Sequence, residues 1–350
     1  MYGYTVRSVE CGELPDAKPD LWCKRLGSEA GSVDPVAYRV GPVLRWSCNP
    51  RPDRCDTTSI SGGIRKRLGR ACGPYDDRFL AGLCEFVRGY IRENYEPLPA
   101  DADLSISTWL DSTHYSATRK RELLGIAARR GLGVGPDLDG SIDLQGLDRV
   151  KSFVKAESYG AYKYPRLINS RPDYAKLVYG PVAKAVEGVV YSCDHHFIKH
   201  VPVRDRPAYM GRVMPRDCIY LESDYSAFES HFTPDLMLVL EIELYRYLLG
   251  NIPQYHGFDF RQSEDVLRFF GPILGVNRIV CRGSEYRVDG VRMSGEMFTS
   301  IGNGFSNLML MLYSLHLRGI SDVVGFVEGD DGLFAVPGRY RDVIPTGEDF

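Results

Sequence analysis

Near the end of this 350-residue chain two adjacent carboxylates sit between two apolar stretches: Val323-Val-Gly-Phe-Val327, then Glu328-Gly329-Asp330-Asp331, then Gly332-Leu-Phe-Ala-Val336. Such a pattern dictates strand, tight acidic turn, strand, with the glycines supplying the positive φ that a tight hairpin turn requires. Gly and Asp are ordinary turn formers, but an exposed turn has no need of apolar residues on both flanks. Val327, Leu333 and Phe334 embed this hairpin in a core, where a like-charged pair at the tip is costly without a cation. Magnesium removes the difficulty, because it is a hard cation that takes carboxylate and phosphate oxygens.

The length allows two or three packed subdomains. A content of 44% hydrophobic and 25% charged residues is that of a globular protein rather than a fibre or a disordered chain. The longest apolar stretches, 236–249 and 308–317, are broken by Glu241, Glu243, Arg246 and His316. Neither reaches the ~20 apolar residues of a membrane span, and the N-terminus lacks the build of a signal peptide. The expectation is a cytosolic protein with no membrane span of its own. Cys11, Cys23, Cys48, Cys55 and Cys72 have irregular gaps and no histidine among them. They read as reduced thiols rather than as zinc ligands.

A net charge of −3 does not by itself point to nucleic acid, but the distribution of charge matters more. Between Lys151 and Lys184 seven basic residues face only Glu157 and Asp173. Further basic runs are Arg65-Lys-Arg-Leu-Gly-Arg70 and Arg119-Lys-Arg121.

Along the chain, residues 1–75 read as loops with short elements. Apolar spacing predicts helices over Leu80–Tyr95, Ser116–Arg130, Ala175–Tyr191, Pro234–Leu249 and Phe298–Leu317. Strands are expected at Ser152–Glu157 and Arg166–Ile168, with a loop at Tyr159–Tyr164 between them. Another strand is expected at Cys218–Leu221. Helices mixed with antiparallel strands indicate an α+β fold.

Two further constellations accompany the hairpin. In Leu221-Glu-Ser-Asp224-Tyr-Ser-Ala-Phe-Glu229, an apolar strand ends in Asp224 at a sheet rim, and a second carboxylate returns five residues later. In Met293-Ser294-Gly295-Glu-Met-Phe-Thr299-Ser-Ile-Gly-Asn303-Gly-Phe-Ser-Asn307, a Ser-Gly turn opens a helix. Thr299, Asn303 and Asn307 follow at four-residue steps and so share one face. Capping by Ser294 explains the Ser-Gly pair but not the polar stripe.

Taken in order, these three pieces resemble motifs A, B and C of the palm of viral RNA-dependent RNA polymerases. Asp224…Glu229 resembles motif A, Ser294-Gly295…Thr299…Asn303 motif B, and Gly329-Asp330-Asp331 motif C. The basic segment Lys155-Ala-Glu157…Lys163-Tyr-Pro-Arg166-Leu-Ile168 resembles motif F of the fingers. The likeness covers about residues 150 to 336, and its wording leans toward tombus-like and noda-like viruses.

The resemblance implies a right-hand polymerase with fingers, plus a palm built on an antiparallel sheet. It divides the chain into an N-terminal extension and fingers (1–150), fingers with motif F (151–217), palm motif A (218–235), a fingers/palm insertion (236–290) and palm motifs B and C (291–350). The implied reaction is nucleotidyl transfer from nucleoside triphosphates to an RNA 3′ end, in viral genome replication. Asp224, Asp330 and Asp331 would hold two Mg2+ or Mn2+ ions. Lys155, Lys163 and Arg166 would neutralise the triphosphate, and Glu229, Thr299 and Asn303 would recognise the ribose 2′-hydroxyl. Ser294 and Gly295 would border the template.

Implied partners are single-stranded RNA template, nascent RNA, nucleoside triphosphates and other viral replication proteins. The implied location is the host cytoplasm, with recruitment to membrane-bound replication sites by other factors. Two features depart from the family pattern. Glu229 stands where Asp is usual. Residues 337–350 contain no lysine, and no thumb follows, so a C-terminally truncated polymerase is expected. The alternatives are a reverse transcriptase-like enzyme, in which a bulky residue normally replaces Glu229, and a catalytically inactive RNA-binding fragment.

Overall fold

The computed structural model describes residues 16–18, 20–25, 52, 54–71, 73–157 and 163–346. From the N-terminus the elements are β1 (Trp22–Arg25), α1 (Thr57–Arg67), α2 (Asp77–Asn94), α3 (Ile106–Ser112), α4 (Ala117–Arg129), β2 (Arg149–Val154), β3 (Leu167–Ser170) and α5 (Asp173–Cys193). There follow α6 (Arg206–Val213), β4 (Cys218–Asp224), α7 (Pro234–Met237), α8 (Glu243–Leu249), α9 (Ser263–Leu274), β5 (Val276–Cys281), β6 (Ser284–Asp289), α10 (Thr299–His316), β7 (Val324–Glu328) and β8 (Asp331–Pro337). A π-turn, Leu238–Ile242, joins α7 to α8, so the expected helix over 234–249 is continuous but widened in its middle.

Several helices begin where a side chain satisfies their first amides. Asp76 accepts from the amides of Arg78 and Phe79 ahead of α2, Ser116 from Arg119 ahead of α4, and Thr233 from Leu236 ahead of α7. On α2 the buried residues are Leu83, Val87 and Ile91, spaced four apart, which is why that face turns inward. They meet α5, α8, α9 and α10 in the larger apolar core, with Val178, Leu244, Phe269 and Phe305 fully buried in it.

There are two sheets. The smaller is antiparallel, in the order β4-β8-β7. The larger runs β1-β6-β5-β2-β3, and within it β2 and β5 pair in parallel while the other pairs are antiparallel. The fold is therefore mixed α+β, as expected, except that its strands are not all antiparallel. The larger sheet has its own core, in which Ile60 and Ile64 of α1 pack with Val150, Ile279 and Val288.

Several elements depart from the sequence expectation. Within 1–75, where loops with short elements were expected, α1 is an eleven-residue helix capped by Asp56. At its centre, Gly62 and Gly63 are where Tyr164 and Pro165 approach closely. Within 236–290, α9 and the β5–β6 hairpin carry ordered structure that the reading did not specify. The Tyr159–Tyr164 loop lies mostly outside the described residues. Of the N-terminal cysteines, Cys11, Cys48 and Cys72 also lie outside them, while Cys23 is on β1 and Cys55 precedes α1. Among the described residues no helix is long and apolar enough to cross a membrane.

Candidate active site

The acidic hairpin folds as β7, a two-residue turn Gly329-Asp330, and β8. Gly329 takes φ +66°, the conformation that a two-residue turn with Gly in first position demands. Of the two aspartates, only Asp330 is in the turn. Asp331 is already on β8, pairing across to Glu328 on one side and to Asp224 on the other. The expectation of two acids side by side at the tip is corrected by one residue, because register rather than composition sets where the turn ends.

Asp224 and Asp331 are thus opposite each other at the ends of neighbouring strands. Directly opposed residues of an antiparallel pair hold their Cβ atoms about 4.5–5.5 Å apart. Burial, then the neighbouring carboxylates of Asp330, Asp224 and Glu328, pushes the Asp331 carboxyl above its usual range, and Arg166 opposes that shift. Asp224, Asp330 and Asp331 line one cleft of about 650 Å3, together with Lys66, Arg67, Arg70, Lys163, Arg166, Tyr225, Ser226 and Ala227. Five cations therefore face three aspartates across it. The three carboxylates do not all come within 4.8 Å of one another, a distance that, among the described residues, the ligand atoms of Asp194, His195 and His196 satisfy.

That second group is already hydrogen-bonded internally. One Asp194 oxygen accepts from Tyr90 and Tyr95, and the other from the His196 amide and lies 2.8 Å from His196 Nδ1. It forms a knot between α2 and the end of α5 rather than an open ligand set. The carboxylates of the cleft, which lie against cations and solvent, suit a hard divalent ion by their donor chemistry.

After Asp224 the chain reverses through Ala227, whose φ of +57° is uncommon for a residue with a Cβ. The reversal brings Glu229 back to α1, where Arg67 Nη1 lies 3.0 Å from its Oε1. Glu229 does not line the cleft, but its partner Arg67 does. Lys163 and Arg166 line the cleft, whereas Lys155 pairs with Glu157 at 2.6 Å, and Arg166 lies 3.5 Å from the same carboxylate.

Ser294 does not cap α10. The cap position is Phe298, with no side-chain hydrogen bond, because a further turn intervenes between 294 and 298. The Ser294 hydroxyl instead donates to the Leu167 carbonyl at 3.0 Å, and the Gly295 amide donates to Asn169 at 3.0 Å. The Ser-Gly turn is thereby fastened to β3, the strand that starts one residue after Arg166. Thr299 closes the intervening turn, its hydroxyl 2.8 Å from the Met293 carbonyl and 2.9 Å from that of Glu296. Asn303 follows on the same face of α10, and its buried Oδ1 has no hydrogen-bond partner in the structure.

Asn307 completes the stripe and acts on the hairpin itself. Its Nδ2 donates to the carbonyls of Gly329 and Asp330, while its Oδ1 accepts from Ser223 beside Asp224. The sequence placed Asn307 on the polar face without assigning it to the site. Lys66, Arg67 and Arg70 were visible only as a basic run, and nothing local showed that α1 would turn them toward Asp224.

No family model matches the chain. Among curated proteins, it is 25% identical over 190 residues to the RNA-directed RNA polymerase of Striped jack nervous necrosis virus, a match covering 53% of this chain and 18% of that protein. It is 26% identical over 196 residues to the RNA-directed RNA polymerase of Atlantic halibut nervous necrosis virus, and 26% over 192 residues to that of Greasy grouper nervous necrosis virus. The match spans under one fifth of those relatives' length, 18% in each case. The similarity is distant, and it is to viral RNA-directed RNA polymerases of the noda-like kind.

Proposed function

From that similarity and the geometry of the cleft, we propose that this chain carries the nucleotidyl-transfer centre of a viral RNA-directed RNA polymerase. The observation that carries the proposal is the in-register pairing of Asp224 with Asp331, beside Asp330, across a cleft from Lys163, Arg166 and the α1 cations. The three-stranded sheet and α10 would form the palm, and the larger sheet with α1 the fingers. Template, nascent RNA and nucleoside triphosphates would meet between them. Other viral proteins would bring the enzyme to its replication sites.

In that reaction the chain's own residues position and neutralise. Lys163 and Arg166 would bind the triphosphate, and a guanidinium suits two phosphate oxygens at once. Asn303 would offer its Oδ1 to a sugar hydroxyl, the group that distinguishes RNA from DNA. Glu229 would reach the ribose only by exchanging its Arg67 partner, so those two act as a unit. Asp224, Asp330 and Asp331 would hold two Mg2+ or Mn2+ ions, whose chemistry is activation of the 3′-hydroxyl and stabilisation of charge at the α-phosphate. Little side-chain proton transfer is required, since placement and charge neutralisation lower the barrier.

The test is template-directed incorporation of ribonucleotides by the full-length protein, with Mg2+ or Mn2+, beside an Asp330→Ala control. Products that depend on template and vanish in the control are expected. A protein that binds RNA yet incorporates nothing would instead favour the RNA-binding reading.

A further inference from the structure

Four charged side chains are buried together away from the cleft: Arg171, Glu241, Arg292 and Glu296, each with a side chain no more than 2% exposed. Arg171 Nε donates to Glu296 Oε2 at 2.8 Å, and Arg292 Nη1 donates to Glu296 Oε1 at 2.7 Å. Arg292 Nη2 donates to Glu241, whose other oxygen accepts from Tyr245 at 2.8 Å. Arg171 is completed by the Leu147 carbonyl and Asn277, each at 2.8 Å. The Arg292 guanidinium lies 5.0 Å from the Phe232 ring centroid. A Cβ on Gly302 would stand 2.5 Å from Glu241 Oε2, so α10 lies directly against the chain of charges.

Burying four charges is an expensive way to fill a core, and such networks are often no more stable than apolar residues of the same volume. What distinguishes this one is where its members attach. Arg171 directly follows β3, whose start adjoins Arg166. Glu296 directly follows Gly295. Phe232 lies three residues beyond Glu229. Glu241 stands on the π-turn, the widened segment between α7 and α8, and such turns recur near functional sites. The chain of charges therefore joins the strand that follows Lys163 and Arg166, the segment that follows Asp224 and the Ser294-Gly295 turn, while none of the four lines the cleft itself.

We infer that Arg171, Glu296, Arg292 and Glu241 are positioning residues, a buried ionic staple that fixes the Ser294-Gly295 turn against the motif-F strand and the Asp224–Phe232 segment. The inference rests on the polymerase reading and deepens it. Glu296 bridges Arg171 and Arg292, and Arg292 bridges Glu296 and Glu241, each through a single directional charge-assisted hydrogen bond, so displacing the turn breaks these bonds where apolar packing of the same volume could slide.

The experiment compares the full-length enzyme with Glu296→Asp and Arg292→Lys, which keep the charges but shift the contacts, and with the apolar set Arg171→Met, Glu241→Leu, Arg292→Met and Glu296→Leu. Measured are kcat, KM for the nucleotide, Kd for single-stranded RNA, and Tm. Because the cleft's own cations are untouched, RNA affinity should stay within about twofold of the parent, while kcat falls about 10–100-fold as expected for misplaced reacting groups. The apolar set should fold with a Tm near the parent's and remain slow. If that set, or either single variant, is folded and turns over as fast as the parent, the staple is only structural and the inference fails. Wild-type enzyme no more active than Asp330→Ala would instead remove the polymerase reading on which it rests.

Discussion

At the residue scale the cleft works against the charge of one of its own acids. The Asp331 carboxyl sits above its usual range because burial and its acidic neighbours disfavour its charge. A raised carboxyl stabilises the fold below the ordinary Asp range and loses that contribution as pH rises through the folded value. At neutral pH Asp331→Asn should therefore raise Tm in the absence of metal, while cutting nucleotide incorporation by at least about 100-fold. Thermal unfolding of the variant in chelator decides the matter, and a lower Tm would contradict the assigned cause. Divalent cation at 100 times its Kd should stabilise the parent by about 2.7 kcal/mol and Asp330→Ala by much less. For Glu229, held by Arg67 at 3.0 Å, Glu229→Phe should reduce ribonucleotide incorporation far more than deoxyribonucleotide incorporation. Equal losses with both sugars would show that this carboxylate does not read the ribose.

At the element scale the hairpin depends on α10. Asn307 holds the carbonyls of Gly329 and Asp330 and the hydroxyl of Ser223, so a single side chain ties helix, turn and β4. Asn307→Leu should cost about 1–3 kcal/mol, because it strands part-buried polar groups of the hairpin and β4, and denaturant unfolding measures that loss directly. The Asp194 knot joins α2 to the end of α5, where His196 also supplies a carbonyl to Val327 of β7. Burial alone would raise the Asp194 carboxyl, but His196 and Tyr95 together hold it below its usual range. Its stabilisation is therefore present above the ordinary Asp range and fades as pH falls through the lower folded value, the reverse of Asp331. Asp194→Asn should flatten the acid limb of the stability curve, and an unchanged limb would contradict this.

For the whole molecule the basic face is assembled from distant stretches: Lys66, Arg67 and Arg70 at or just past the end of α1, and Lys163 and Arg166 ahead of β3. Single-strand affinity gained through phosphates falls with salt by about 0.7 in log K per log unit for each contact. With five cations on the cleft, replacing any one by alanine should lower that slope by about 0.7 if it touches a phosphate. Titrations of RNA binding across a salt series separate these residues from Lys155, which pairs with Glu157 and does not line the cleft, so that a smaller change is expected for it.

The sequence by itself determined the elements that carry the chemistry. Apolar flanks and glycine dictated the β7–β8 hairpin, periodicity dictated α2, α5 and α10, and an apolar run ending in Asp224 dictated β4, because these are local consequences of side-chain burial and backbone freedom. Tertiary structure alone decided what those elements face. Pairing register made Asp331 a strand residue opposite Asp224, and the packing of α1 beneath the larger sheet brought its cations to the cleft. The Ser294-Gly295 turn became a clasp on β3 rather than a helix cap. Each of these is a contact between residues far apart in the chain, and its free energy comes from surfaces that exist only once both partners are folded.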